Sequence, residues 1–141
     1  FGAEIEASVD VAQIGDYAIS LDGVGDYSRA KLTGSAGNLP RIPALRLLGG
    51  LEAKSDTVTA RIETEWVNGQ KRVAAFETTT PGYTMVNASV NFKPLGKDKG
   101  LDLTLSANNV FDVVARRHAS FMKDYAPLTG RDIRLTARVS F

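Results

Sequence analysis

The side chains best equipped for chemistry gather in one stretch: Arg116, Arg117, His118, Ser120, Lys123 and Asp124. A serine, a histidine and an aspartate could in principle supply a nucleophile, its base and the group that orients the base. Their close spacing inside one polar segment gives no oriented, hydrogen-bonded arrangement, so the chain reads as a non-enzyme with no catalytic residue. With one histidine and no cysteine, thiolate chemistry and a structural zinc site lack ligands, and neither a metal site nor a cofactor is expected. The string Gly23-Val24-Gly25-Asp26-Tyr27-Ser28 lacks the third glycine of a phosphate-binding loop and opens no helix. Its glycines suit a bend in a strand instead.

Binding is the remaining chemistry. Arg41, Trp66, Lys71, Arg72, Arg116, Arg117, His118 and Lys123 fall in or beside three long connections. Basic and aromatic groups gathered there would suit an anionic ferric chelate. The plainer alternative, which loop side chains usually follow, is that these groups are simply hydrated. Seventeen basic against sixteen acidic residues leave a net charge of +1, which gives no electrostatic reason to expect nucleic acid.

The elements that must position these loops are strands. Apolar and polar residues alternate with period two along seven segments, 2–10, 17–27, 45–54, 57–66, 83–92, 101–109 and the closing stretch to 141. In the fourth, Val58, Ala60, Ile62 and Trp66 oppose Arg61, Glu63 and Glu65; in the last, Ile133, Leu135, Ala137, Val139 and Phe141 oppose Asp132, Arg134 and Arg138. Every charge inside these segments lies on the polar face, with Leu48 the apolar exception there. That sorting suits a sheet facing lipid, where a charge at mid-bilayer costs roughly 2–4 kcal/mol. Most of the segments also exceed the five or six residues usual in soluble sheets.

Connections alternate in length. Those at 11–16, 54–56 and 93–100 are short, while those at about 28–44, 67–82 and 110–131 are long. Outer-membrane barrels have short turns on the periplasmic side and long loops outside. On that basis the last strand runs toward the periplasm. Tyr17, Phe92 and Phe141 then mark one interface, and Tyr27 and Trp66 the other. The expected fold is an all-β, antiparallel up-and-down meander of about seven long strands, part of a transmembrane barrel and open when isolated. Because the chain opens directly in alternation and shows no signal peptide, it reads as a fragment.

Two motifs sharpen this. Asn108-Asn109-Val110-Phe111-Asp112 at the end of the sixth segment, and Gly130 to Phe141 at the C-terminus, resemble the end of TonB-dependent outer-membrane receptors; Pro81 to Asn87 resembles the start of a barrel strand in that family. The resemblance implies a barrel of about twenty-two strands closed by an N-terminal plug. Residues 1–141 would be the C-terminal portion of its barrel domain, without the plug and earlier strands. It also implies outer-membrane location, uptake of a scarce nutrient such as a ferric siderophore, energy delivered through TonB, and lipid as the surrounding partner. The final strand, with Leu135, Ala137, Val139 and Phe141, would be the signal read by the barrel-assembly machinery. A porin or autotransporter translocator shares the alternation and the terminal Phe, and a soluble lectin-like or adhesin β-sandwich shares the alternation. Both stay open at this point.

Overall fold

The structure, a computed structural model, describes residues 1–34, 37–96 and 100–140. Seven strands form one sheet: β1 (Gly2–Ile14), β2 (Tyr17–Ser28), β3 (Arg46–Lys54), β4 (Val58–Val67), β5 (Tyr83–Phe92), β6 (Leu101–Asn108) and β7 (Asp132–Val139). Each pairs antiparallel with its sequence neighbour in the order β1 to β7, and β1 and β7 are the two free edges. The expected open meander is therefore what forms.

Register shows how the faces align. Residues directly opposite in an antiparallel pair point the same way, and one row crosses the whole sheet as Val9, Leu21, Leu51, Ile62, Ala88, Ala107 and Ile133. A second row holds Ala53, Ala60, Val90, Leu105 and Leu135. Between them run polar rows such as Glu52, Arg61, Ser89, Ser106 and Arg134. The aliphatic face is bare: Ile62 is 49% exposed and Leu135 74%. In a soluble sandwich that face would be covered by a second layer.

Across β2 to β5 the opposite face is better sheltered, and its charges there pair with one another. Arg61 makes a two-pronged contact with Asp22, Nη1 to Oδ1 at 2.5 Å and Nη2 to Oδ2 at 2.8 Å, and reaches Glu63 at 3.3 Å. Asp22 lies on β2 and Arg61 on β4, so the guanidinium must cross β3. It does so over Gly50, where an added Cβ would stand 2.6 Å from Arg61 Cζ and 2.7 Å from Asp22 Oδ1. Leu48 is half-buried on this same face, between Val24 and Glu65.

Strand limits differ from expectation chiefly in β1, which continues to Ile14 rather than ending at 10. Asp10 pairs with Ser20 but Ala12 with Ile19, so Val11 is an extra residue in a bulge. The bulge reverses the phase, and alternation therefore stops being readable at that residue. The connection shrinks from 11–16 to Gly15-Asp16, with Gly15 at φ 59°, the positive value that suits the first position of a two-residue hairpin turn. At the other end of the chain, Phe141 lies outside the described residues, as do residues 97–99 of the β5–β6 turn.

Candidate functional site at the loop end of the sheet

The three long connections, 29–45, 68–82 and 109–131, leave from the same end of the sheet and fold over one another. Each needs partners for backbone groups that no strand satisfies. In the middle loop, Gln70 and Thr80 form an isolated antiparallel bridge, and Gln70 Nε2 donates to Ile42 O of the first loop at 3.0 Å. Asn38 Nδ2 donates to Val73 O at 3.1 Å.

Glu77 is the centre of this arrangement. Its Oε1 accepts from Arg41 N–H at 2.8 Å and its Oε2 from Ala74 N–H at 2.9 Å. Arg41 and Phe76 have φ of 58° and 65°, a left-handed region costly for such side chains. The first of those strained residues is held by its own amide on the carboxylate, and the second is the immediate neighbour of Glu77.

The third loop joins through His118, which is 5% exposed. Its Nδ1 lies 3.0 Å from Thr80 Oγ1. Its Nε2 approaches Glu77 Oε1 to 3.2 Å, without the alignment of a hydrogen bond. Lys123, equally buried, donates from Nζ to Thr78 O at 2.5 Å, and Thr78 Oγ1 bonds Asp124. Burial pushes the His118 imidazole below its ordinary 6.5, with Glu77 opposing and Lys123 reinforcing that effect. Burial raises the Glu77 carboxyl, but the amides of Ala74 and Arg41, then His118 and Lys123, bring it below the usual 4.5.

The base of the third loop is set by Asn109, 1% exposed, which follows β6 with φ 49°. Its N–H donates to Asn87 Oδ1 at 2.9 Å, its Oδ1 accepts from Val113 N–H at 2.8 Å, and its Nδ2 donates to Val113 O at 2.9 Å. Asp112, also at positive φ, accepts from Arg131 N–H at 2.8 Å. The motif residues Asn109 and Asp112 thus shape the turn into the loop, while Phe111 stays exposed and Asn108 pairs with Asp132. So turned, the loop lays Ala115, Val113 and Leu128 on Tyr83, Met85 and Val67 at the end of the polar face.

Beneath it lies a hollow of about 280 Å³, lined among others by Arg46, Glu65, Tyr83, Arg116, Arg117 and His118. Glu65, 5% exposed, lies 3.3 Å from Arg46 Nη1 and 3.5 Å from Arg117 Nη2, and Tyr83 OH donates to it at 3.4 Å. Arg46 in turn binds Asp26 at 2.7 Å.

Of the eight binding candidates, Arg116, Arg117 and His118 come together at this hollow. Lys123 is buried beside them, with its backbone carbonyl bonded to Arg116 at 2.5 Å. Arg41 stacks on Phe121, 3.5 Å from the ring centroid. Trp66 does not join them: it shares the bare face with Leu47 and Thr84. Arg72 lies over Tyr27, and Lys71 is exposed. Sequence reasoning missed Glu77, Thr80 and Gln70. They lie in a segment without periodicity, and only the folded loop reveals what they join. Among the described residues no group of three acidic or histidine side chains could hold a metal ion.

The open seven-stranded meander, aliphatic on one face and ionic on the other, has the fold of a segment of an outer-membrane β-barrel. No family model matches the chain. Among solved structures it is similar to the copper transporter OprC, with a TM-score of 0.83 and 19% identity over 99% of this chain. The chain spans 23% of that transporter's length.

Proposed function

We propose that residues 1–141 are the C-terminal wall of a transmembrane barrel in the bacterial outer membrane, belonging to a TonB-dependent receptor for a scarce nutrient. The observation that carries this is the inversion of the sheet: Ile62 and Leu135 are bare while Arg61, Glu63 and Glu65 are sheltered. Lipid is the solvent for which that arrangement is stable. Similarity across nearly the whole chain to a copper transporter supports transport over a passive or purely structural role.

In this reading the polar face lines the lumen and meets a plug supplied by the rest of the protein. The loop cluster of Arg41, Arg116, Arg117, His118 and Lys123, with Lys71 and Arg72 at its margin, borders the external mouth. The cations that line the hollow favour an anionic ferric chelate of the siderophore type. A copper cargo is the second reading, favoured by the OprC likeness. Leu135, Ala137 and Val139 on the free β7 edge, continuing to Phe141, would be recognised by the assembly machinery through strand addition.

The experiment is uptake of labelled ferric chelates and of copper by cells carrying the full-length gene, with and without TonB. Accumulation of one cargo that disappears with TonB supports the proposal. Accumulation that is equal in both strains and rises linearly with concentration would mean a porin.

A further inference from the structure

A second surface lies on the bare side of the sheet, at the loop end. Pairing of β1 with β2 continues one step past the strands, since Arg29 N–H donates to Phe1 O and Phe1 N donates to Arg29 O, both at 2.9 Å. Ala3 pairs with Tyr27 and Ile5 with Gly25 on the aliphatic face. Phe1 and Arg29, two residues further along, therefore share that face. The Phe1 and Tyr27 rings lie 6.2 Å apart, and the Arg72 guanidinium lies 5.8 Å from the centre of the Tyr27 ring. Arg29 and Arg72 line one crevice, and Lys31 lies two residues beyond Arg29. None of these three cations forms an ion pair among the described residues.

Along this side of β1 and β2 the chemistry changes in a fixed order. Val9 and Leu21 come first, then Ile5 and Leu47, then the aromatic pair, then Arg29, Arg72 and Lys31. A lipid presents the same order from chain to headgroup: hydrocarbon, interface, charge. We propose that this patch binds the phosphate-bearing headgroup of a lipid in the leaflet surrounding the loop end. Tyr27 and Phe1 lie against the interfacial part of the lipid, and Arg29 and Arg72 engage its phosphates. A free anion would need only the cations. The continuous aliphatic and aromatic approach below them is what selects a lipid. The inference rests on the outer-membrane reading above.

The test uses the full-length protein, purified in a nonionic detergent and titrated by native mass spectrometry. Its probes are a diphosphorylated glucosamine-disaccharide lipid, the same lipid with its phosphates removed, and inorganic phosphate. Wild type should prefer the phosphorylated lipid, and inorganic phosphate should not displace it. Arg29→Gln combined with Arg72→Gln should weaken that binding roughly thirtyfold, taking each cation near the surface at about 1 kcal/mol. Lys93→Gln, at the short-turn end, should leave it unchanged, and circular dichroism should show the same sheet in all variants. Equal binding of the two lipids by wild type, no change in the double variant, or displacement by inorganic phosphate would each overturn the patch alone. Binding of neither lipid by a protein that stays soluble without detergent would overturn the barrel reading with it.

Discussion

Glu77 Oε1 stands 3.2 Å from His118 Nε2, and the same oxygen accepts the Arg41 amide, so one carboxylate touches all three long loops. Hydrogen bonds to a charged group contribute about 1.5–3 kcal/mol. Glu77→Ala should therefore release the loops from one another while leaving the sheet intact. Amide exchange at Arg41 and Ala74 should accelerate at least about tenfold, with β4 and β5 amides unchanged. Equal protection in the variant would show that the loops are held by something else.

The loop cluster should also loosen in acid. His118 has its folded pKa depressed below 6.5, so its contribution is complete above that value and fades as pH falls through the lower, folded value. Glu77 is likewise depressed, below 4.5, and its contribution is lost further down as it protonates. Limited proteolysis between pH 8 and pH 4 should show cleavage in 109–131 beginning below about pH 6.5. In His118→Gln that first step should vanish, leaving only the more acidic one.

Substitution of Gly50 by alanine inserts a methyl group where Arg61 and Asp22 meet. Overpacking of this kind costs about 1–3 kcal/mol. Unfolding of the full-length protein by urea in lipid vesicles should shift accordingly. Gly49→Ala is the control, because its nearest neighbour, Asp22 O, lies 3.9 Å away.

Ile62 lies in the central row of the bare face. Ile62→Arg should cost about 2–4 kcal/mol in a bilayer and lower the amount of protein assembled in membranes. Glu63→Gln, one residue away but on the sheltered face, should change assembly little. A tolerated arginine at 62 would mean that the face does not meet lipid.

Much of the fold was legible because alternation is a local property that each strand carries independently. Six of seven strands begin and end within a residue or two of where the pattern changes. β1 departs, since a single extra residue, Val11, inverts the phase and hides the three strand positions that follow. The site was legible only in part. His118, Arg116 and Arg117 stand out as basic residues near one another in sequence, whereas Glu77 and Thr80 meet His118 across 38 or more positions, a proximity created by loop packing. Trp66 illustrates the reverse problem: its place beside a long connection suggested the mouth, although its alternation with Val58, Ala60 and Ile62 already set it on the apolar face, where the structure has it.

The crossing of Arg61 over Gly50 carries a further consequence. A slip of β3 by two residues along its neighbours would keep Leu47, Leu51 and Ala53 outward, so hydrocarbon alone could not distinguish the slipped sheet from the correct one. It would, however, bring Leu48 or Glu52 beneath the guanidinium instead of a residue with no side chain. Three strands are thus keyed to a single alignment by one missing methyl group.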